Sequence, residues 1–157
     1  MADRSGVKPL GTNSQGCSTT FLLCGFDVGS ATVKPEHRRF LRQTVADILT
    51  APRNQVALIG RASRSGPERQ NLKLSRLRAE AAASFLMKEG VEREQMQVDY
   101  QGESSPFSTE RESPDDRSVE VRIRVPQNHP DVVQLGDYNN TPASLRSGGW
   151  TTSSVMR

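Results

Sequence analysis

Between residues 19 and 125 the apolar residues change their spacing along the chain, and no other feature limits the possible folds so strongly. Residues 19–28 are rich in β-formers and read as a strand. Gly29-Ser30-Ala31-Thr32 turns the chain, and Pro35 suits the first position of a helix, where an N–H is not needed. Phe40, Leu41, Val45, Ile48 and Leu49 then recur at helical spacing until Pro52 stops them. Gln55-Val56-Ala57-Leu58-Ile59 is short, apolar and β-branched, the composition of a buried strand. After a loop carrying Gly66 and Pro67, a second helix is expected from about Glu68 to Lys88, with Leu74, Leu77, Ala81 and Phe85 on one face and Gly90 beyond its end. Gln95–Tyr100 reads as a third strand. Ser118–Val125 alternates strictly, as a strand with one wet face does.

The resulting order is β-α-β-α-β-β. It predicts an α/β sandwich in which two helices pack on one face of a mixed four-stranded sheet, occupying residues 19–126. With 34% apolar and 5% aromatic residues, the core is modest. Residues 1–18 lack periodicity and are expected to be a flexible arm. Residues 127–157 are rich in Asn, Ser, Thr, Gly and Pro and are expected to be an extended tail. Val132, Val133, Leu135 and Trp150 are the points where that tail would dock.

The chemistry-bearing residues are sparse. Cys17 and Cys24 are either a short-loop disulfide pair or, for Cys24 within its apolar run, a small buried side chain. His37 and His129 stand far apart, so no metal spacing exists and no cofactor is expected. Without a base beside it, Ser63 is no nucleophile, and with no paired carboxylates the chain reads as no enzyme. No apolar run is long enough to span a bilayer. The start, Met1-Ala2-Asp3-Arg4-Ser5-Gly6, lacks the apolar stretch of a secretory signal. Three routes fit that start: the protein stays where it is made, it leaves by another path, or the chain has been trimmed. Net charge is +3, but Arg61, Arg64, Arg69, Lys73, Arg76 and Arg78 face the single acid Glu68 in one stretch. That excess favours an anionic or carboxylate-bearing partner, or simply forms a solvated helix face. The stretch has no aromatic for stacking on bases, which argues against nucleic acid.

Four segments together resemble a known family. Phe26-Asp27-Val28-Gly29-Ser30-Ala31-Thr32-Val33-Lys34-Pro35 looks like the strand-and-turn opening of OmpA/MotB C-terminal-like domains. Asn71-Leu72-Lys73-Leu74-Ser75-Arg76-Leu77-Arg78-Ala79 matches the family's Asn-x-x-Leu-Ser-x-x-Arg-Ala helix. Gly102-Glu103-Ser104-Ser105-Pro106 resembles its Gly-Glu-x-x-Pro loop, and Arg117-Ser118-Val119-Glu120-Val121 its closing strand. The resemblance implies non-covalent binding of the diaminopimelate-containing stem peptide of peptidoglycan in a cell envelope or periplasm. Arg78 takes the position of the carboxylate-binding arginine, Asn71 that of the asparagine two turns earlier, and Arg117 that of an arginine at the pocket rim. A guanidinium suits the ligand's carboxylate, and an aspartate its ammonium.

One position departs from the pattern. The family's loop usually reads Gly-His-Thr-Asp-x-x-Gly, whereas here it reads Gly60-Arg61-Ala62-Ser63-Arg64-Ser65-Gly66. Ser63 replaces the aspartate, and Arg61 and Arg64 place cations beside it. Loss of such a pairing costs about 2–5 kcal/mol. Each remaining residue has two readings. Arg78 is a ligand clamp opening onto a cleft, or a structural arginine bonded to a loop carbonyl or to Glu103. Asn71 touches ligand or caps the loop-to-helix junction. At the level of function, one reading is a wall anchor with a degenerate pocket. The other is a structural or protein-interaction module of a larger assembly, such as a secretion or injection apparatus, made in the cytoplasm and using its N- and C-terminal arms to hold protein partners.

Overall fold

A computed structural model describes residues 6–12, 18–104, 106–126, 147–149 and 151–153. The strands are β1 (Val7–Thr12), β2 (Ser18–Leu23), β3 (Gln55–Gly60), β4 (Met96–Tyr100) and β5 (Val119–Arg124). They form one mixed sheet in the order β1-β2-β5-β3-β4, in which β3 and β4 run parallel and the other neighbours antiparallel. The sheet therefore has five strands rather than the expected four. The extra strand lies in the segment expected to be a flexible arm. Its sequence, Val-Lys-Pro-Leu-Gly-Thr, carries no alternation, and the register shifts between Pro9 and Gly11. Pairing with β2, not intrinsic pattern, holds it, and Lys8 adds an ion pair to Asp115 at 2.8 Å. Pro9, which cannot donate to a ladder, is tolerated at this sheet edge.

Helix α1 (35–48) opens at Pro35 and contains a π-helical turn, Leu41–Val45, between two α-helical pieces. Leu41, Val45 and Leu49 are its buried stripe, as the spacing predicts. Helix α2 (Glu68–Lys88) shows a different face from the expected one. Its buried residues are Asn71, Ser75, Arg78, Ala79, Ala82, Ala83 and Leu86, while Leu77 is 40% exposed. The reason is close approach to the sheet. A Cβ built on Gly60 at the end of β3 would lie 1.8 Å from the Ser75 carbonyl oxygen. At that separation only small residues fit between helix and strand, so Ser75, Ala79 and Ala82 go inward there while Leu72 and Leu77 stay outside; Leu86 is buried nearer the end of the helix. Leu23, Phe26, Val56, Leu58, Val119, Val121 and Ile123 complete the core beneath both helices.

Two further buried polar groups position the loops. Gln95 donates to the carbonyls of Leu49, Ala51 and Asn54, fixing the chain between α1 and β3. Glu120 breaks the wet-face alternation of β5: it is buried and pairs with Arg61 at 2.7 Å. Residues Ser147–Gly149 and Thr151–Ser153 form a short antiparallel ribbon, β6 and β7, inside the segment expected to be an extended tail. The docking expectations for Val132, Val133, Leu135 and Trp150, the proposed Cys17–Cys24 bond and the His129 reading lie outside the described residues. No helix among the described residues is long and apolar enough to cross a membrane.

Candidate functional site

Where the parallel strands β3 and β4 end, their loops meet the start of α2 and the turn that follows β2. The loop 61–66 leaves β3 and bends back at Gly66 (φ +84°) into α2. Asn71 ties that bend together: its Nδ2 donates to the carbonyls of Ser65 at 2.9 Å and Gly66 at 3.4 Å, and reaches Glu103 Oε2 at 3.4 Å. Asn71 thus caps the loop-to-helix junction. On the other side, Ser75 Oγ accepts the Gly102 N–H at 2.9 Å, which pins the loop after β4 to the helix. Between α2, the loop 61–66 and the turn at Val28-Gly29 lies a cleft of about 380 Å³, also lined by Ser63, Ser65, Gln70, Lys73, Leu74, Leu77 and Arg78.

Arg78 is at the base of this cleft and is fully buried. Its Nε donates to Ser30 O at 2.8 Å, Nη1 to Arg61 O at 3.0 Å and Nη2 to Asp27 O at 3.0 Å. Three of the five guanidinium N–H groups are therefore spent on backbone carbonyls of two different loops. No bond to Glu103 forms. Burial foremost, then the nearby Arg117 charge, lowers its pKa to about 10, with Glu112 acting in the opposite sense. The charge at the cleft base is met by carbonyl dipoles rather than by a carboxylate, so it projects a positive field into the cleft. Of the alternatives for Arg78, the geometry matches the loop-carbonyl one, and the same side chain borders the cleft.

The two loop arginines do not crowd Ser63. Arg61 turns under the sheet, where Nη2 meets Glu120 Oε1 at 2.7 Å, Nη1 meets Gln101 Oε1 at 2.8 Å, and the guanidinium lies 4.3 Å over the Phe107 ring. Arg64 points into the long loop before β5, donating from Nη2 to the carbonyls of Ser108 at 3.0 Å and Glu110 at 3.1 Å. The expectation that both cations surround Ser63 is corrected on this point. The buried Glu120 carboxylate draws Arg61 away, and the loop carbonyls of Ser108 and Glu110 draw Arg64.

A carboxylate stands at Ser63 instead. Glu112, from the loop between β4 and β5, accepts from Ser63 Oγ at 3.2 Å to each of its oxygens. Ser65 Oγ donates to its Oε1 and Arg117 Nη1 to its Oε2. The Ser65 hydrogen bond foremost, against a desolvation cost and aided by Arg117 and Ser63, holds the Glu112 carboxyl below the usual range. Arg117 also donates from Nε to Phe26 O at 2.6 Å, so it links the turn after β2 to this loop. Asp27, exposed, pairs with Lys34 at 2.9 Å, and that contact lowers its pKa.

The structure brings Arg78, Asn71 and Ser63 together at one cleft, and Arg117 reaches it through Glu112. Glu112 itself is the residue that the sequence does not disclose. It sits in an aperiodic charged stretch, Glu110-Arg111-Glu112, forty-nine positions from Ser63. The backbone bond from Arg64 N to Arg111 O, 2.8 Å long, and the Arg64 side-chain bonds to Ser108 and Glu110 bring its loop alongside 61–66. His37 lies apart from the cleft: it stacks on Phe26, accepts the Lys34 N–H at Nδ1 and bonds Cys24 O through Nε2 at 2.8 Å. Among the described residues no group of His, Cys, Asp and Glu is placed to hold a metal ion.

Comparison with known proteins gives a consistent answer. The model of the OmpA family matches residues 25–120. The peptidoglycan-associated lipoprotein of Pseudomonas putida is 34% identical over 107 residues, covering 66% of this chain and 62% of that protein. The crystal structure of the peptidoglycan-associated lipoprotein from Burkholderia pseudomallei superposes with a TM-score of 0.61 at 24% identity, covering 69% of this chain and 90% of that one. The cell wall anchor of the T6SS from Pseudomonas aeruginosa superposes with a TM-score of 0.63 at 21% identity, over 80% of this chain and 92% of that one. At such identities the two structures speak for the fold. The chain spans about half the length of the curated relatives it matches, from 30% to 62%.

Proposed function

Since the chain belongs to the OmpA family, we propose that it is a non-catalytic cell-wall attachment domain whose cleft receives the stem peptide of peptidoglycan. The observation that carries this reading is the cleft itself, about 380 Å³ at the mouth of α2, with the buried Arg78 charge at its base and the exposed Lys73 on its wall. A peptide carboxylate entering there is drawn by both cations. Val28, Leu74 and Leu77 supply apolar wall against which methylene groups can lie. The relatives named for peptidoglycan association and for anchoring to the cell wall support the same assignment and an envelope location.

The test is co-sedimentation of the full chain with purified sacculi, with a soluble diaminopimelate-containing stem peptide as competitor. Retention on the sacculi that the competitor abolishes is the expected result. A chain that stays in the supernatant at all concentrations rules the reading out.

A second reading keeps the fold as a protein-interaction module of a larger assembly, with the cleft unused. It draws on one observation, the commitment of Arg78 to three backbone carbonyls, which gives that residue a role in the fold whether or not a ligand binds. Cross-linking in the native cell separates the two: a protein adduct with no wall adduct favours the second.

A further inference from the structure

Glu112 has no counterpart in the loop pattern by which the site was found, yet its carboxylate stands one hydrogen bond beyond Ser63. We infer that Glu112 is the anionic pole of the cleft and takes the ammonium of a zwitterionic ligand, with Ser63 and Ser65 as the residues that position it. This rests on the attachment reading and specifies how this chain recognises its peptide.

The geometry supports it in three ways. First, three donors reach the carboxylate: the Ser63 hydroxyl shared between both oxygens at 3.2 Å, the Ser65 hydroxyl on Oε1 and Arg117 on Oε2. These contacts fall on about four lone-pair sites, but two of them share the single Ser63 proton at 3.2 Å, so a ligand ammonium can take over one half of that shared bond. The Glu112 side chain is 39% exposed, which leaves it accessible to a ligand. Second, the other acids nearby are differently engaged. Asp27 pairs with Lys34, Glu120 is buried beneath Arg61, and Glu103 lies toward Asn71. Third, the cations that would oppose an ammonium at Ser63 are turned away, Arg61 to Glu120 and Arg64 to the carbonyls of Ser108 and Glu110.

The cleft is therefore dipolar. Lys73 and Arg78 line its cationic side; Ser63 and Ser65 line the other, and Glu112, bonded to both hydroxyls from the neighbouring loop, supplies the negative charge there. A ligand bearing a carboxylate and an ammonium on one terminus, such as the side-chain end of diaminopimelate, satisfies both poles at once. Serine at position 63 is then no loss of charge. The acid has moved from the loop after β3 to the loop before β5, and a hydroxyl at 63 now orients it.

The experiment is calorimetry on the full chain with a stem tripeptide ending in diaminopimelate, and with the same peptide acetylated on that side-chain nitrogen. Glu112→Gln, exposed and conservative in shape, is expected to bind the tripeptide about ten- to a hundredfold more weakly, the loss of one charge-assisted contact. The acetylated peptide should not distinguish wild type from Glu112→Gln. Adding Ser63→Asp to Glu112→Gln should restore much of the affinity by returning the carboxylate to the loop. Binding by Glu112→Gln equal to or tighter than wild type overturns the inference while leaving attachment intact. Failure of wild type to bind either the tripeptide or sacculi overturns both.

Discussion

Arg78→Met tests how far one buried cation holds the site together. Methionine keeps the length of the side chain and removes the guanidinium. Three hydrogen bonds to carbonyl oxygens disappear, each from a charged donor and each worth about 1.5–3 kcal/mol. Asp27 O keeps the Ser30 N–H as a partner, whereas among the described residues no other bond is made to Ser30 O. Against this loss stands the cost of burying the charge. A pKa brought from 12.5 down to about 10 corresponds to roughly 3 kcal/mol disfavouring the charged form. The net expectation is a destabilisation of about 2–6 kcal/mol, read from urea midpoints with the slope unchanged. Because the bonds join the turn at Asp27–Ser30 to the loop at Arg61, hydrogen exchange should quicken in those two loops before the rest of the sheet. A loss below about 1 kcal/mol would refute the account of Arg78 as the tie between them.

Gly60→Ala places a methyl 1.8 Å from the Ser75 carbonyl oxygen and must push α2 off the sheet; a loss of at least about 3 kcal/mol is expected in the same assay, and a loss under 1 kcal/mol would show that the helix yields easily. His37 is buried, and desolvation foremost lowers its pKa, against bonds to the Cys24 and Gly6 backbone and the field of Glu36, with Lys34 adding to the lowering. The folded state thus resists a proton that the unfolded chain accepts near pH 6.5, so stability should fall as pH drops from about 7 to 5. His37→Gln should flatten that slope, and an identical slope in both proteins would count against His37 as its source.

Much of the site was written in the sequence, but as residue types rather than as contacts. The helix motif ending at Arg78 and the Gly60–Gly66 loop identify which backbone segments border the cleft. They leave open what each side chain does there. Asn71 and Arg78 both bond to loop carbonyls, a role that depends on where two loops lie and on no local pattern. Arg61 and Arg64 look like cations at the ligand loop, yet Glu120 and the 108–110 backbone draw them off. The face of α2 was misjudged by its leucines because helical spacing counts hydrophobicity and not room. The sheet lies so close at Gly60 that alanine, not leucine, fits beneath.

The sequence by itself determined the order of elements from β2 to β5, the ends of both helices and the family, because period, proline and glycine act over a few residues. Tertiary structure alone decided three things. It decided that Val7–Thr12 joins the sheet, that the small-residue face of α2 goes inward, and that Glu112 reaches Ser63. Each depends on a surface supplied by a distant part of the chain: the free edge of β2, the backbone at Gly60, the loop beside Arg64. Contacts of that kind are set by how layers and loops meet in space, and local periodicity carries no record of them.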